Sequence, residues 1–229
     1  MAGNPYVTPA LFAFLNELKE NNERDWFNAN KARYEADVRE PMLAFIRDFA
    51  PRLARLSPHM RADARKTGGS LFRIFRDTRF SADKSPYKTA VGVQFRHGDA
   101  ESAHAPCFYL NLEPGRVFVG AGIWRPDSSG QAAIRDAIVR DGQGWQRALG
   151  AKDFSRTFQL SGDSLKRPPR GFDADHPLVE DLKRKDFIAV SDKSEAWACG
   201  ADFLEDFTAH CRQAVPFMKF VTGAVGMGW

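Results

Sequence analysis

The feature that most constrains this chain is a change in hydrophobic period partway along it. Between Leu11 and Leu56 apolar residues recur at helical spacing: Leu11, Phe12, Leu15 and Leu18, then Met42, Phe45, Ile46, Phe49 and Leu53. From Thr89 to Ile123 they alternate instead, with Val91, Val93 and Phe95 on one side of an extended segment. Thr8-Pro9 marks a helix start, a hydroxyl followed by proline in the first turn. The spacing predicts a second helix from about Asp25 to Tyr34 and a third from about Val38 to Leu56, with Pro41 in its first turn and Pro51 as a possible kink. Cys107–Leu112 and Arg116–Ile123 read as two strands joined at Glu113-Pro114-Gly115, so consecutive strands with short connections argue for an antiparallel meander.

Further on, Asp127-Ser128-Ser129 caps a helix to about Arg140, and Trp145 to Leu149 suits a short one. Short strands are expected near Thr157–Leu160 and Phe187–Val190, with a helix over Leu178–Lys185 between them. A last helix spans about Ala201–Phe220, interrupted at Pro216. Helices, then strands, then mixed elements define an α+β fold: a single domain over residues 1–229, with an antiparallel meander packed by N-terminal and C-terminal helices. The 19 phenylalanines predict a core rich in aromatic rings.

Charge concentrates in one place. Residues 65–88 hold seven basic side chains and two acidic ones, a net +5 in a chain of +4, so the remainder sums to −1. Such a local excess favours anionic partners. The arginines are interleaved with Phe72, Phe75, Phe80 and Tyr87. Read as an extended segment, one face carries Phe72, Ile74, Arg76, Thr78 and Phe80, the other Arg73, Phe75, Asp77 and Arg79. An arginine within an apolar face needs a partner, and Asp77 and Asp83 are the nearest.

Three segments are candidates for a site. Arg73, Arg76, Arg79, Lys84 and Lys88 would donate to phosphate or carboxylate, with Tyr87 orienting the ligand. Gly120-Ala121-Gly122-Ile123-Trp124-Arg125-Pro126 offers Trp124 and Arg125 as a clamp, although a β-bulge with a core tryptophan fits the same residues. Lys166 and Arg170 lie on a stiff segment with Pro168-Pro169 and suit phosphate recognition or a solvated surface. Convergence of the three segments would make one anion site.

Asp77 and Asp83 are the candidates for a general acid or base if the chain is a hydrolase or transferase acting on a phosphorylated small molecule. The alternative without a ligand is a structural or interaction module whose basic segment is an internal ion-pair network. His97, Asp99, Glu101 and His104 share one polar loop, which solubility alone explains, so no metal is expected. Ser81-Ala82-Asp83-Lys84 and Lys66-Thr67-Gly68 match short penicillin-binding motifs in the wrong order, and no phosphate-loop or dinucleotide fingerprint occurs. The sequence leaves any cofactor unknown. Three widely spaced cysteines suggest no disulfide framework, and no apolar run approaches a membrane span, so a soluble cytoplasmic protein is expected.

Asn21-Asn22-Glu23-Arg24-Asp25-Trp26-Phe27, the Arg73–Lys88 segment, Gly120–Pro126 and Gly162–Gly171 together resemble the family called domain of unknown function 2461. The resemblance runs from about Leu11 to Met218. It implies a single soluble domain of mostly bacterial and fungal occurrence and carries over no catalytic residue.

Overall fold

The computed structural model describes residues 4–79, 81–99 and 104–229. Phe80 and Glu101 therefore lie outside the described residues. Helix α1 (Pro9–Glu20) starts where Thr8-Pro9 predicts, and α2 (Arg24–Ala29) follows. The second predicted helix is divided at Asn30 between α2 and α3 (Lys31–Arg33), and α3 runs on through a π-helical stretch, Tyr34–Arg39, into α4 (Glu40–Leu56). Pro51 lies within α4 on its exposed side.

Strands β1 (Val91–Arg96), β2 (Cys107–Glu113) and β3 (Arg116–Ile123) form the expected meander. Helices α5 (Ser128–Arg140), α6 (Gly142–Gly150) and α7 (Lys152–Thr157) come next. Then follow β4 (Gln159–Ser161), α8 (Val179–Leu182) and β5 (Phe187–Lys193). The sheet order is β1-β2-β3-β5-β4, antiparallel throughout, so β5 inserts between β3 and the short edge strand β4. Helices α9 (Glu195–Ala198), α10 (Phe203–Gln213) and α11 (Val215–Ala224) close the chain. The single predicted C-terminal helix is two, because Pro216 occupies the first turn of α11. The result is one α+β domain with helices on both sides of a five-stranded sheet.

Period-2 alternation puts Val93, Phe95, Phe108, Leu110, Val119 and Ala121 on one buried face. Against it stand Phe45 and Phe49 of α4 and Phe203 and Phe207 of α10. Phe49 meets Phe95 at 4.6 Å and Phe207 at 5.0 Å between ring centroids, and Phe45 meets Phe207 at 5.3 Å. Offset and edge contacts of this kind add to the gain from burying the rings. One hydrophobic cluster includes residues from α1, α4, the sheet and α11, so the aromatic core is a property of the whole chain.

Strand register also defines two ends of the sheet. Val91 pairs with Leu112, Leu112 with Val117 and Val117 with Lys193 at one end. Arg96 pairs with Cys107, Cys107 with Gly122 and Ile123 with Phe187 at the other. Six residues of β1 separate these ends by about 20 Å.

Candidate functional site

The basic segment leaves the sheet at its first end. Leu71 bridges Val93, and Phe72 N–H donates to the Gly92 carbonyl, so residues 70–72 run antiparallel beside β1 toward its start. Beyond them the chain folds back on itself: Arg76 N–H donates to Pro86 O, Lys88 N–H to Ile74 O, and Phe75 bridges Tyr87. The alternation expected from sequence holds in part. Ile74 is buried and Arg76 half-buried, while Arg73, Phe75, Asp77 and Arg79 face solvent; Phe72, expected on the apolar face, is exposed.

Most cations here have internal partners. Arg76 donates to Asp83 and, at 2.9 Å, to the Ser85 hydroxyl. Arg79 grips Asp77 through two nitrogens at 2.9 and 2.7 Å. Lys84 Nζ donates to Thr78 O at 2.9 Å. The Arg79 guanidinium holds the Asp77 carboxyl down at about 2. At Asp83 the Ser85 hydroxyl and then the Ser85 N–H do most of the same, with Arg76 adding to it, and that carboxyl is also pulled to about 2. Such weak bases are poorly matched to proton transfer near neutrality.

Arg73 and Lys88 differ. Neither makes a hydrogen bond or ion pair with another described side chain, and Lys88 Nζ sits over the Phe72 ring at 5.3 Å. Burial, and then the nearby Arg73 charge, push the Lys88 pKa down. Phe72, beside Lys88, is 37 % exposed, and Phe75, whose ring meets Phe27 and Tyr87, is 52 % exposed.

Tyr87 is not available to a ligand and belongs to the core. Its ring stacks on Phe27 at 4.1 Å, and the Asn22 amide both donates to Tyr87 O and accepts from Tyr87 N–H, each at 3.0 Å. This pair of hydrogen bonds clasps the Asn21–Phe27 segment to the basic segment.

The other two predicted loops lie at the opposite end of the sheet. Gly122 has φ +120, and a Cβ there would stand 2.1 Å from Phe187 O, so only glycine fits. Past it, Trp124 is 51 % exposed, which corrects the core-tryptophan alternative. The Arg125 guanidinium covers its ring at 4.7 Å. Arg125 has φ +49, a left-handed conformation that L side chains rarely adopt. Its N–H donates to Asp186 Oδ1 at 2.8 Å, and Asp163 N–H donates to the other oxygen at 2.8 Å. Asp186, buried and unremarked in the sequence, thus joins the second loop to the third, whose Lys166 and Arg170 are exposed.

Convergence of all three loops is therefore not found. Arg125, Lys166 and Arg170 share one end of the sheet, and Arg73, Arg76, Arg79, Lys84 and Lys88 the other. Beside Arg125 is an open cleft of about 520 Å³, lined among others by Asp99, His104, Ile123, Asp127 and Met227. Among the described residues two carboxylates flank one arginine there, with no excess of positive charge.

These features describe an α+β domain with a basic segment at one sheet end and, at the other, an open cleft whose lining is mostly apolar. The chain belongs to the conserved hypothetical protein family DUF2461, whose model matches residues 10–220. No curated protein matches it. No helix among the described residues is long and apolar enough to cross a membrane.

Proposed function

We propose that the chain binds an anionic ligand carrying phosphate and an aromatic base, a nucleotide or a single-stranded nucleic-acid segment, at the basic end of the sheet. One observation carries the reading: Arg73 and Lys88 stand close together without an ion-paired carboxylate among the described residues, with exposed Phe72 against Lys88 and exposed Phe75 in the same segment. Two like charges held near each other repel, and an anion relieves that cost. Exposed rings offer stacking surface to bases, worth about 1–3 kcal/mol each. Arg76 and Arg79, in the same segment, are held in surface ion pairs, and Lys84 by a carbonyl, contacts weak enough to exchange for a ligand. Three free cysteines, two of them buried, suit a reducing compartment such as the cytoplasm.

The test is fluorescence anisotropy with a short labelled oligonucleotide, with a mononucleotide and inorganic phosphate as competitors. Arg73→Ala with Lys88→Ala weakens binding at least 10-fold. With three or four phosphates contacted, log affinity falls against log salt with a slope of about −2 to −3. Binding untouched by the double substitution, or no binding at all, overturns the proposal.

A second reading draws on the pairs Arg76–Asp83 and Arg79–Asp77: the segment as an internal network that shapes a surface for protein partners. It is the reading that remains if no anion binds. A phosphate-processing enzyme would need its base elsewhere, since Asp77 and Asp83 are both held near 2.

A further inference from the structure

His97 follows β1 and is fully buried. Three segments fix its backbone: its N–H donates to Pro106 O at 2.9 Å, it bridges Met60, and Gly98 N–H donates to His59 O at 2.7 Å. Its ring Nε2 lies 2.9 Å from the Gly228 carbonyl oxygen. A carbonyl only accepts, so Nε2 carries the proton and Nδ1 keeps its lone pair. That lone pair accepts a hydrogen bond from the Asp99 N–H at 3.3 Å, which a bound ion would displace, and an Asp99 carboxylate oxygen lies 3.9 Å from it. The ring of His59, partly exposed, lies parallel to that of His97 at 5.4 Å. One donor atom from each of His59, His97 and Asp99 lies within 4.8 Å of the other two.

We propose that His59, His97 and Asp99 bind one divalent transition-metal ion. Bonds of about 2.0–2.2 Å place neighbouring donors about 3–3.5 Å apart. The cluster is wider than that by an ångström or so, a gap that rotation of the two surface side chains closes while buried His97 stays in place. Surface histidines and aspartates often meet without an ion. What separates this cluster from such meetings is the tautomer of His97: metal-bound imidazoles donate their second ring N–H to a carbonyl or carboxylate, and Gly228 O already receives it. Two imidazoles and one carboxylate suit zinc or ferrous iron and leave coordination positions for water. Arg61, packed against Gly98, places one positive charge nearby and weakens binding without occupying a donor. Asp99 also lines the cleft that holds Arg125, so a bound ion would stand at its edge. No residue of the anion proposal takes part, and either can fail alone.

The test titrates Zn²⁺ into the purified, chelator-treated full chain in competition with a chromophoric chelator, and repeats the titration with Co²⁺ to read visible d–d bands. The expected result is one equivalent bound, with His59→Gln and Asp99→Asn each weakening uptake at least 10-fold and abolishing the Co²⁺ bands. Both substitutions are at surface side chains of similar size, so the fold is retained; substitution of buried His97 is avoided. Absence of stoichiometric uptake by the parent chain overturns the proposal. So does uptake at parental affinity in either variant.

Discussion

At Asp77 and Asp83 the acid form is suppressed by hydrogen bonds that form only when the excursion is folded. Both carboxyls are held at about 2 against an ordinary 3.8. A folded pKa below the unfolded one stabilises the loop above pH 3.8, and that contribution disappears as pH falls through about 2. Because both groups are at the surface, the readout is local: carboxyl carbon NMR shifts should titrate near 2 in the folded protein. Ser85→Ala should raise the Asp83 midpoint more than Arg76→Ala does, since the serine supplies the leading hydrogen bond. Midpoints of 3.8 at both would show the pairs do not persist in solution. Sequence alone put these aspartates among the cations and offered both as partners for Arg76, because short separations limit the choices without deciding between them. It could not show that Tyr87, set between lysines at 84 and 88, turns inward onto Phe27.

Among the elements, α5 is held to the β5 side of the molecule by an arginine that the sequence does not single out. Arg135 is buried in α5, with Nε donating to Leu182 O and Nη2 to Arg184 O, both at 2.8 Å. Its helical spacing alone makes it one more polar residue on a mostly polar helix. Arg135→Met should destabilise the protein by about 3–6 kcal/mol, because hydrogen bonds from a charged donor contribute about 1.5–3 kcal/mol each and two carbonyls lose theirs. Urea denaturation checks this; Arg135→Lys should recover only part, lacking the planar fork. An unchanged midpoint in the methionine variant would show that the clamp contributes nothing. Elements with strong local signals were legible: Thr8-Pro9 before α1, Asp127 capping α5 through Gly130 N–H, and Pro114-Gly115 between β2 and β3. The π-helical stretch was not, because a shift from i+4 to i+5 bonding leaves no mark in residue type.

For the whole molecule, one hydrophobic cluster joining α1, α4, the sheet and α10–α11 predicts one cooperative unfolding transition. Far-UV circular dichroism, near-UV circular dichroism and tryptophan fluorescence should coincide in urea; separate midpoints would mean that parts of the chain fold independently. The α+β class, the meander of β1 to β3, the family and the basic segment are all legible in the chain, because each follows from patterns spanning a few residues or from local charge. Which loops share an end of the sheet is settled by the assembled fold. It placed Arg73 and Lys88 about 20 Å of strand away from Arg125, tied Arg125 to Asp163 through Asp186, and brought His59, His97 and Gly228 together. The reason is that strand order and register depend on burying one face of every strand at once, a condition met by the assembled chain and carried by no single segment of it.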